Sequence, residues 1–251
     1  MENRILFQFN NVGKPYLLVK GYDNGNLTTL KNFEFNVDEL ENNLPIYEDI
    51  KDELDRLLNS NSIERNSATI LINDRSMSKV TTTMPNINER KIRRIYEGNI
   101  VRNIPNLNTY DRYTSSSKVE TGYIFYEFIY LKTIKEFFEN LAKDLGFVTY
   151  TVNPFYTHLL NEAKKDNEEK TFAYFYEEKN IASLLVVVDG SLAAYHSFYA
   201  KDEEYKLSVA SIIENHRKNL EKVDIAKVFA NTEIDCFKDT SIEIRNYKIG
   251  E

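Results

Sequence analysis

The stretch KNIASLLVVVDGSLAAYHSFYAKD, residues 179–202, contains an apolar run, the pair Asp189-Gly190 and a second β-rich run. An Asp-Gly pair between two such runs is a strong signal for a two-residue type I′ hairpin turn, which needs positive φ at both positions. An Asp and a Gly beside a strand can also cradle a phosphate. The position between two strands favours the hairpin tip. The choice matters because it separates a nucleotide-hydrolysing enzyme from a protein that only binds other proteins.

The segments around this hairpin extend it into a larger unit. TFAYFY (171–176) precedes it and adds a third strand, so that the second half of the chain opens with a β-meander. A helix over about 205–220 follows. Two further strands, 225–232 and 241–247, complete this half.

The first half opens with the same order of elements. Three strand-forming segments come first, and the Asn-Gly signal in DNGN (23–26) joins the last two; they are 5–9, 16–22 and 27–35. Apolar residues at helical spacing from Tyr47 to Leu57 predict a helix, and 67–74 with 79–85 are interpreted as a strand pair.

The middle of the chain continues with alternating elements. A short helix is predicted after Pro85, with Asn86 or Asn88 as its cap, and the polar segment 99–121 is interpreted as an exposed loop or a long irregular crossing. A strand, a helix ended by Gly146, a strand and a second helix follow; they are 122–130, 131–145, 147–153 and 154–165.

A duplicated three-strand meander followed by helices is the layout of an α/β, bilobed actin-like (ribonuclease H-like) fold with an inserted subdomain. We expect lobe one over residues 1–165, with its core at 1–44 and 151–165 and the inserted subdomain at about 45–150. A truncated lobe two is expected over 166–251, and the charged break at 164–170 marks the boundary.

Composition excludes several classes of protein. The net charge of −7 argues against general nucleic-acid binding, and the only local basic segment, NERKIRRIYEGN (88–99), is interpreted as the solvated face of a short helix. The single cysteine, Cys236, excludes an intrachain disulfide and a cysteine-based zinc site, and predicts a reducing compartment. We find neither the apolar core of a signal peptide nor an apolar run of about 18 residues that would predict membrane insertion.

Four stretches, in this order, resemble the PilM-type actin-like proteins of type IV pilus and related type II secretion machinery. The first joins a strand, a proline and a helix to the segment IPNLNTYDRY, which stands where the family has a Pro…Asp-Tyr loop. The second is the strand, helix, Gly, strand, helix series. The third is the hairpin at Asp189-Gly190, and the fourth is a helix and strand that precede a Gly-rich nucleotide loop in the family. They are VTTTMPNINERKIRRIYEGNI with IPNLNTYDRY (80–113), YIFYEFIYLKTIKEFFENLAKDLGFVTYTVNPFYTHLLNEA (123–163), ASLLVVVDGSLAAYHSF (182–198) and VASIIENHRKNLEKVDIAKVFANT (209–232).

The resemblance implies nucleotide loops in three places, and each lacks a needed residue type here. Asn10 and Asn11 stand where the first loop wants a carboxylate. The second loop carries Glu177 and Glu178 with no Gly or Asp, and the third segment, 232–239, has no Gly. We therefore expect vestigial loops, no catalytic residue, no cofactor and no metal, although a Mg²⁺ bridged by those same glutamates stays an alternative.

The remaining candidate side chains favour structural roles. His216 is predicted to lie on the apolar face of its helix, and His158 and His196 have no nearby Cys or carboxylate at metal-ligand spacing. Cys236 lacks the surroundings of a nucleophile. The many Tyr and Phe side chains predict either an aromatic-rich core or a peptide-binding groove.

The resemblance implies a cytoplasmic, non-catalytic scaffold, held at the inner face of the cell membrane by partner proteins. Its expected partner is a bitopic PilN-like membrane protein, bound through its cytoplasmic N-terminal peptide, and a pilus assembly ATPase is a second candidate. Neither nucleic acid nor direct membrane insertion is expected, and the contact residues for a partner are unknown. The alternatives are an actin-fold ATPase with divergent phosphate loops and an unrelated α+β protein.

Overall fold

The computed structural model describes residues 4–23, 26–34, 44–74, 78–104, 106–119, 122–165, 168–200, 204–219, 227–231 and 243–246. The strands within these residues are β1 Arg4–Asn11, β2 Tyr16–Asp23, β3 Asn26–Glu34, β4 Ser67–Asp74, β5 Ser78–Pro85, β6 Tyr110–Val119, β7 Gly122–Leu131, β8 Thr149–Pro154, β9 Phe172–Glu178, β10 Ile181–Val188, β11 Ser191–Tyr199, β12 Lys227–Ala230 and β13 Glu243–Asn246. The helices are α1 Leu44–Ser60, α2 Glu89–Asn103, α3 Lys132–Asp144, α4 Phe155–Lys164 and α5 Glu204–Asn219, with a short 3-10 helix at Leu107–Thr109.

Two of the described sheets have the same topology. One has the strand order β3-β2-β1-β4-β8, and the other has the order β11-β10-β9-β12-β13. In each sheet the first three strands of this order form an antiparallel meander. The fourth strand pairs in parallel with the third, and the fifth pairs in parallel with the fourth. The predicted repeat of element order is therefore confirmed, with each half opening on its own meander.

The first sheet is covered by amphipathic helix α3. The Phe138 ring of this helix packs on the Phe9 ring of β1, with the ring centroids 5.1 Å apart. The last helical residue is Asp144, and the predicted terminator Gly146 follows it with a φ of 81°. The next amide, of Phe147, bonds back to the Ala142 carbonyl at 3.1 Å. Glycine suits this position because a Cβ disfavours the left-handed region.

The strand pairing of residues 67–85 differs from the prediction. β4 does not pair with β5; it lies between β1 and β8, parallel to both, while β5 pairs with β7. Helix α1 provides the crossover that a parallel β-α-β connection needs. β4 and β8 therefore belong to the first sheet, and the inserted subdomain at about 45–150 stays a prediction.

The segment 99–121, predicted as an exposed loop, is largely regular. Helix α2 continues to Asn103, and β6 pairs antiparallel with β7 over its whole length. β6 reads YDRYTSSSKV and has almost no apolar periodicity, because it is an edge strand with many exposed or half-exposed side chains. Backbone pairing to an apolar neighbour, rather than burial of its own side chains, holds it in the sheet.

The chain divides into two compact units. One contains Met1–Arg75 and Lys132–His158 with Gly250–Glu251, and the other contains Ser76–Leu131 and Leu159–Ile249. The three-stranded sheet, of order β5-β7-β6, lies with α2 in the second unit. The expected lobe boundary near 164–170 stays a prediction.

Helix α2 packs on the three-stranded sheet through one face. Ile92, Tyr96 and Ile100 are buried at a spacing of four residues, and the Tyr96 ring stacks on Phe125 of β7 with centroids 4.3 Å apart. Asn88 caps the helix, since its side chain accepts from the Arg90 and Lys91 amides.

The pair Asp189-Gly190 forms the turn between β10 and β11. Asp189 and Gly190 have φ of 48° and 75°, and the flanking residues Val188 and Ser191 pair directly. Positive φ at both positions of a two-residue loop is the geometry of a type I′ turn, so the predicted hairpin tip is confirmed.

Replacing Gly190 with alanine should lower the free energy of unfolding by about 1–2 kcal/mol. No heavy atom lies within 4 Å of the position that the new Cβ would occupy, so the cost is conformational rather than steric. Chemical denaturation measures it. Gly98→Ala is the control, because that site is also open but lies within helix α2, where alanine is favoured. Equal effects at both glycines would contradict the left-handed turn.

Candidate functional site

The first expected nucleotide loop connects β1 to β2 and is closed by internal hydrogen bonds. Asn10 is fully buried, and its side-chain amide donates to the Tyr16 hydroxyl at 3.0 Å. Its side-chain oxygen accepts from the Val12 amide and from Asn73 Nδ2, both at 3.2 Å. The Asn10 side chain is thus committed within the protein, and Asn11 ends β1 as a half-buried residue.

Asn73 links this loop to the neighbouring strand. It stands directly opposite Asn10 in the parallel β1–β4 pairing, near the carboxyl ends of both strands. A ligand in an open α/β sheet binds outside these strand ends. Here the two asparagines bond to each other instead, and both are buried.

The second expected loop, between β9 and β10, is a tight hairpin. Glu178 pairs directly with Ile181, which leaves only Lys179 and Asn180 in the turn, and Lys179 takes a φ of 54°. Two residues cannot form the concave array of backbone N–H groups that surrounds a phosphate.

Asn231 bonds to the end of strand β9, beside this hairpin. It follows β12, and its amide donates to the Phe175 carbonyl at 3.2 Å, which continues the parallel pairing with β9. Its side chain then mimics a backbone segment: Oδ1 accepts from the Glu177 amide at 2.7 Å, and Nδ2 donates to the Glu177 carbonyl at 2.9 Å.

The Glu177 carboxylate is also engaged. It accepts a hydrogen bond from the Tyr205 hydroxyl, 3.0 Å away, at the start of helix α5. Tyr205 is buried, and its ring stacks parallel to that of Phe175. The structure therefore brings together Glu177, Asn231 and Tyr205, of which only Glu177 was singled out by the sequence.

The amides of the β10–β11 turn point into the protein. The Asp189 amide donates to Thr171 Oγ1 at 3.2 Å, and the Gly190 amide donates to the Lys170 carbonyl at 2.6 Å. Both backbone N–H groups of this Asp-Gly pair therefore donate to the segment just before β9.

The third expected loop, the cysteine and the histidines add no candidate ligand site among the described residues. Segment 232–239, the third expected loop, and Cys236 lie outside the described residues, as does the side chain of His216. His158 lies beside the Phe155 ring, and His196 stacks on Phe198. In the part of the chain that the structure describes, no three His, Cys, Asp or Glu side chains are grouped as metal ligands.

The aromatic segments form core. In the strands and helix expected to line a peptide groove, the aromatic side chains are almost all buried; those buried are Phe125, Tyr126, Phe128, Tyr130, Phe155, Tyr156, Phe172, Tyr174 and Phe175. Of the two alternatives, the aromatic-rich core therefore accounts for these residues.

A buried carboxylate in the three-stranded sheet was missed by sequence reasoning. Glu127 of β7 is fully buried and accepts from the Tyr96 hydroxyl at 2.8 Å and from Thr114 Oγ1 at 2.7 Å. Arg112 of β6 donates its Nε to the same carboxylate and both Nη groups to Glu97. The signal was present, since an acidic residue interrupts the apolar strand YIFYEFIYL.

The charged and polar side chains of this cluster bond to one another. Burial and the hydrogen bond to Glu127 raise the pKa of Tyr96 well above its usual range, so it stays a neutral donor. Burial lowers the pKa of Arg112, but its bonds to Glu97 and Glu127 outweigh that effect, and the net direction is upward. The buried negative charge is thus paired and hydrogen-bonded, as a structural carboxylate requires.

Comparison with known proteins gives the fold its name. No known family model matches the sequence, and no curated protein matches it. The PilM-PilN type IV pilus biogenesis complex has a similar structure, with a TM-score of 0.60 and 9% identity over 97% of this chain and 88% of that one. The chain has the actin-like fold.

The cytoplasmic domain of EpsL, an inner-membrane component of the type II secretion system of Vibrio cholerae, is also similar. Its TM-score is 0.52 at 9% identity, over 100% of this chain and 87% of that domain. The predicted resemblance to PilM-type actin-like proteins is confirmed for the fold. None of the described helices is long and apolar enough to cross a membrane.

Proposed function

We propose that this chain is a non-catalytic actin-like scaffold of a type IV pilus or related secretion platform at an inner membrane. One observation carries the proposal: the two described nucleotide loops are closed by their own hydrogen bonds. The Asn10 side chain bonds to Tyr16, Val12 and Asn73, and the backbone of Glu177 bonds to the Asn231 side chain.

The alternative is an actin-fold ATPase with divergent phosphate loops. Phosphate binding draws on several backbone N–H groups aimed at one anion. In this chain the amides of Val12, Glu177, Asp189 and Gly190 all donate within the protein. The Glu177 carboxylate adds negative charge to the second loop, which disfavours a phosphate unless a metal ion bridges the two.

The proposed partner is a bitopic inner-membrane protein that resembles PilN. PilM is found in complex with PilN, and EpsL is itself an inner-membrane component. A scaffold of this kind would bind the partner's cytoplasmic N-terminal peptide and be held at the inner face of the membrane by it. A pilus assembly ATPase is a second proposed partner.

Strand β8 is the described surface that best fits an extended peptide. It lies at the edge of the first sheet, and Thr149, Tyr150 and Thr151 are exposed. Val148, just before the strand, is 78% exposed, and Tyr150 is 37% exposed. An edge strand binds a peptide by backbone pairing, and apolar side chains at alternate positions add specificity.

The test is a calorimetric titration of the purified chain with cytoplasmic N-terminal peptides of bitopic inner-membrane proteins from the same organism. We expect one peptide to bind, and Tyr150→Asp to abolish that binding. Tyr113→Asp is the matched control, since Tyr113 lies on edge strand β6 and is 39% exposed. No binding by any peptide would contradict the partner, whereas equal loss in both variants would contradict β8 as the site.

A further inference from the structure

Helix α2 presents a basic face on the side opposite the sheet. Lys91, Arg94 and Arg102 recur at spacings that place them on one side of a helix, with Arg90 at its margin, and all four are exposed. Ile92, Tyr96 and Ile100, the buried residues, occupy the other side. The basic face has no acidic partner within ion-pair distance among the described residues.

The two acidic residues of the helix do not neutralise this face. Glu89 pairs with Arg93, and Glu97 pairs with Arg112 of β6. Both acidic side chains therefore form ion pairs with arginines outside the basic face. That face stays positively charged on a chain whose net charge is −7.

The position of the charges is unfavourable for the helix itself. Arg90, Lys91 and Arg94 occupy its first two turns. The amino-terminal end of a helix carries partial positive charge, so cations there are destabilising and acidic residues are preferred. The effect is confined to the first turn, so Arg90 and Lys91 break this local preference. A preference broken twice with no compensating contact among the described residues is typical of a surface whose charge is kept for function.

Exposed apolar side chains accompany the basic ones. Ile95 is 41% exposed and Val101 is 61% exposed, and both flank the basic face; Ile87, just before the helix, is 41% exposed. The apolar face of α2 is buried on the sheet, so these side chains add only limited apolar area to the electrostatic attraction that basic residues have for an anionic lipid surface.

We propose that the outward face of α2 rests directly on an anionic phospholipid surface. The charges are diffuse, and attraction to anionic lipid needs no shape complementarity, because it acts through the surface potential. Three exposed apolar side chains supply far less area than the roughly 1,200 Å² that a stable protein–protein interface buries. The proposal concerns surface contact, not insertion, and it depends on this helix rather than on the proposed peptide partner.

Binding through this face would be weak alone. Each basic residue near an anionic surface contributes about a factor of five in affinity, and stable membrane attachment takes more than one signal. The contact would act together with a membrane-bound partner, by raising the effective concentration of the chain at the bilayer.

The experiment is flotation of the full chain, without any partner, with vesicles of phosphatidylcholine alone or of phosphatidylcholine and phosphatidylglycerol. We expect binding to the anionic vesicles only, and its loss at about 1 M salt, where the screening length falls to about 3 Å. Binding that is equal on both kinds of vesicle, or absent from both, would overturn the proposal.

Two charge-matched triple variants separate this face from net charge. The test variant carries Arg90→Glu, Lys91→Glu and Arg94→Glu, and should bind anionic vesicles more than about a hundredfold more weakly. Glutamate is favoured in the first turns of a helix, so this variant should fold at least as well as the original chain. The control carries Lys143→Glu, Lys164→Glu and Lys170→Glu, three exposed lysines on other elements, and should retain much more of the binding.

An equal loss in both triple variants would contradict the proposal, because net charge alone would then explain it. Binding of the original chain to immobilised polyglutamate but not to anionic vesicles, lost in the test variant, would assign the face to an acidic protein instead. Failure of vesicle flotation leaves the peptide titration unaffected, so the two proposals are tested independently.

Discussion

Replacing Glu127 with alanine is expected to lower the free energy of unfolding by about 3–5 kcal/mol. The carboxylate is fully buried and receives hydrogen bonds from Tyr96, Thr114 and Arg112. Its removal leaves the Arg112 guanidinium, only 21% exposed, with Glu97 as its remaining described acidic partner. Buried polar groups that lose their partners carry the full cost of desolvation.

Urea denaturation of single and double variants measures this effect. Glu97→Ala is the control, because Glu97 contacts the same arginine from a largely exposed position and should cost less than about 1 kcal/mol. The Glu127→Ala, Arg112→Ala double variant should cost less than the sum of the two single changes, since each leaves the other charge unpaired. A loss below about 1 kcal/mol for Glu127→Ala would contradict the described network.

Replacing Asn10 with alanine is expected to lower the free energy of unfolding by about 3 kcal/mol. The change leaves Asn73 Nδ2, the Val12 amide and the Tyr16 hydroxyl without the partner that Asn10 gives them, in a buried position. A residue kept for ligand binding alone would show little effect on stability in the absence of ligand.

Thermal and urea denaturation of Asn10→Ala test this structural role. Asn99→Ala is the matched control, because Asn99 is exposed on helix α2, where alanine is the better helix former and should not destabilise the fold. Unchanged stability of Asn10→Ala, together with a change in Mg-ATP binding, would support the ATPase alternative instead.

Local signals in the sequence were sufficient for much of the fold. Asp189-Gly190 specified its turn because few residue pairs accept positive φ at two successive positions. Helix α3 and its Gly146 terminus followed from apolar spacing and backbone freedom. The repeat of meanders could be recognised because each was made of consecutive strands.

Long-range pairing could not be predicted in the same way. β4 pairs with β1 across helix α1 instead of with the next strand, and β6 carries no periodic signal of its own. The loop closures were hidden for a related reason: Asn231 and Glu177 are 54 positions apart, and Asn10 and Asn73 are 63 apart. The sequence shows that the expected nucleotide loops lack the residue types that a phosphate site needs. It does not show which side chains bond across these loops.

Calorimetric titration of the intact chain with Mg-ATP tests the scaffold account most directly. We predict no saturable heat and no increase in melting temperature over Mg²⁺ alone, because the Val12 and Glu177 amides and the Asn10 and Glu177 side chains are bonded within the protein. The contradictory result is saturable binding that stabilises the fold by about 2.7 kcal/mol at about 100 times the dissociation constant and disappears in Glu177→Ala.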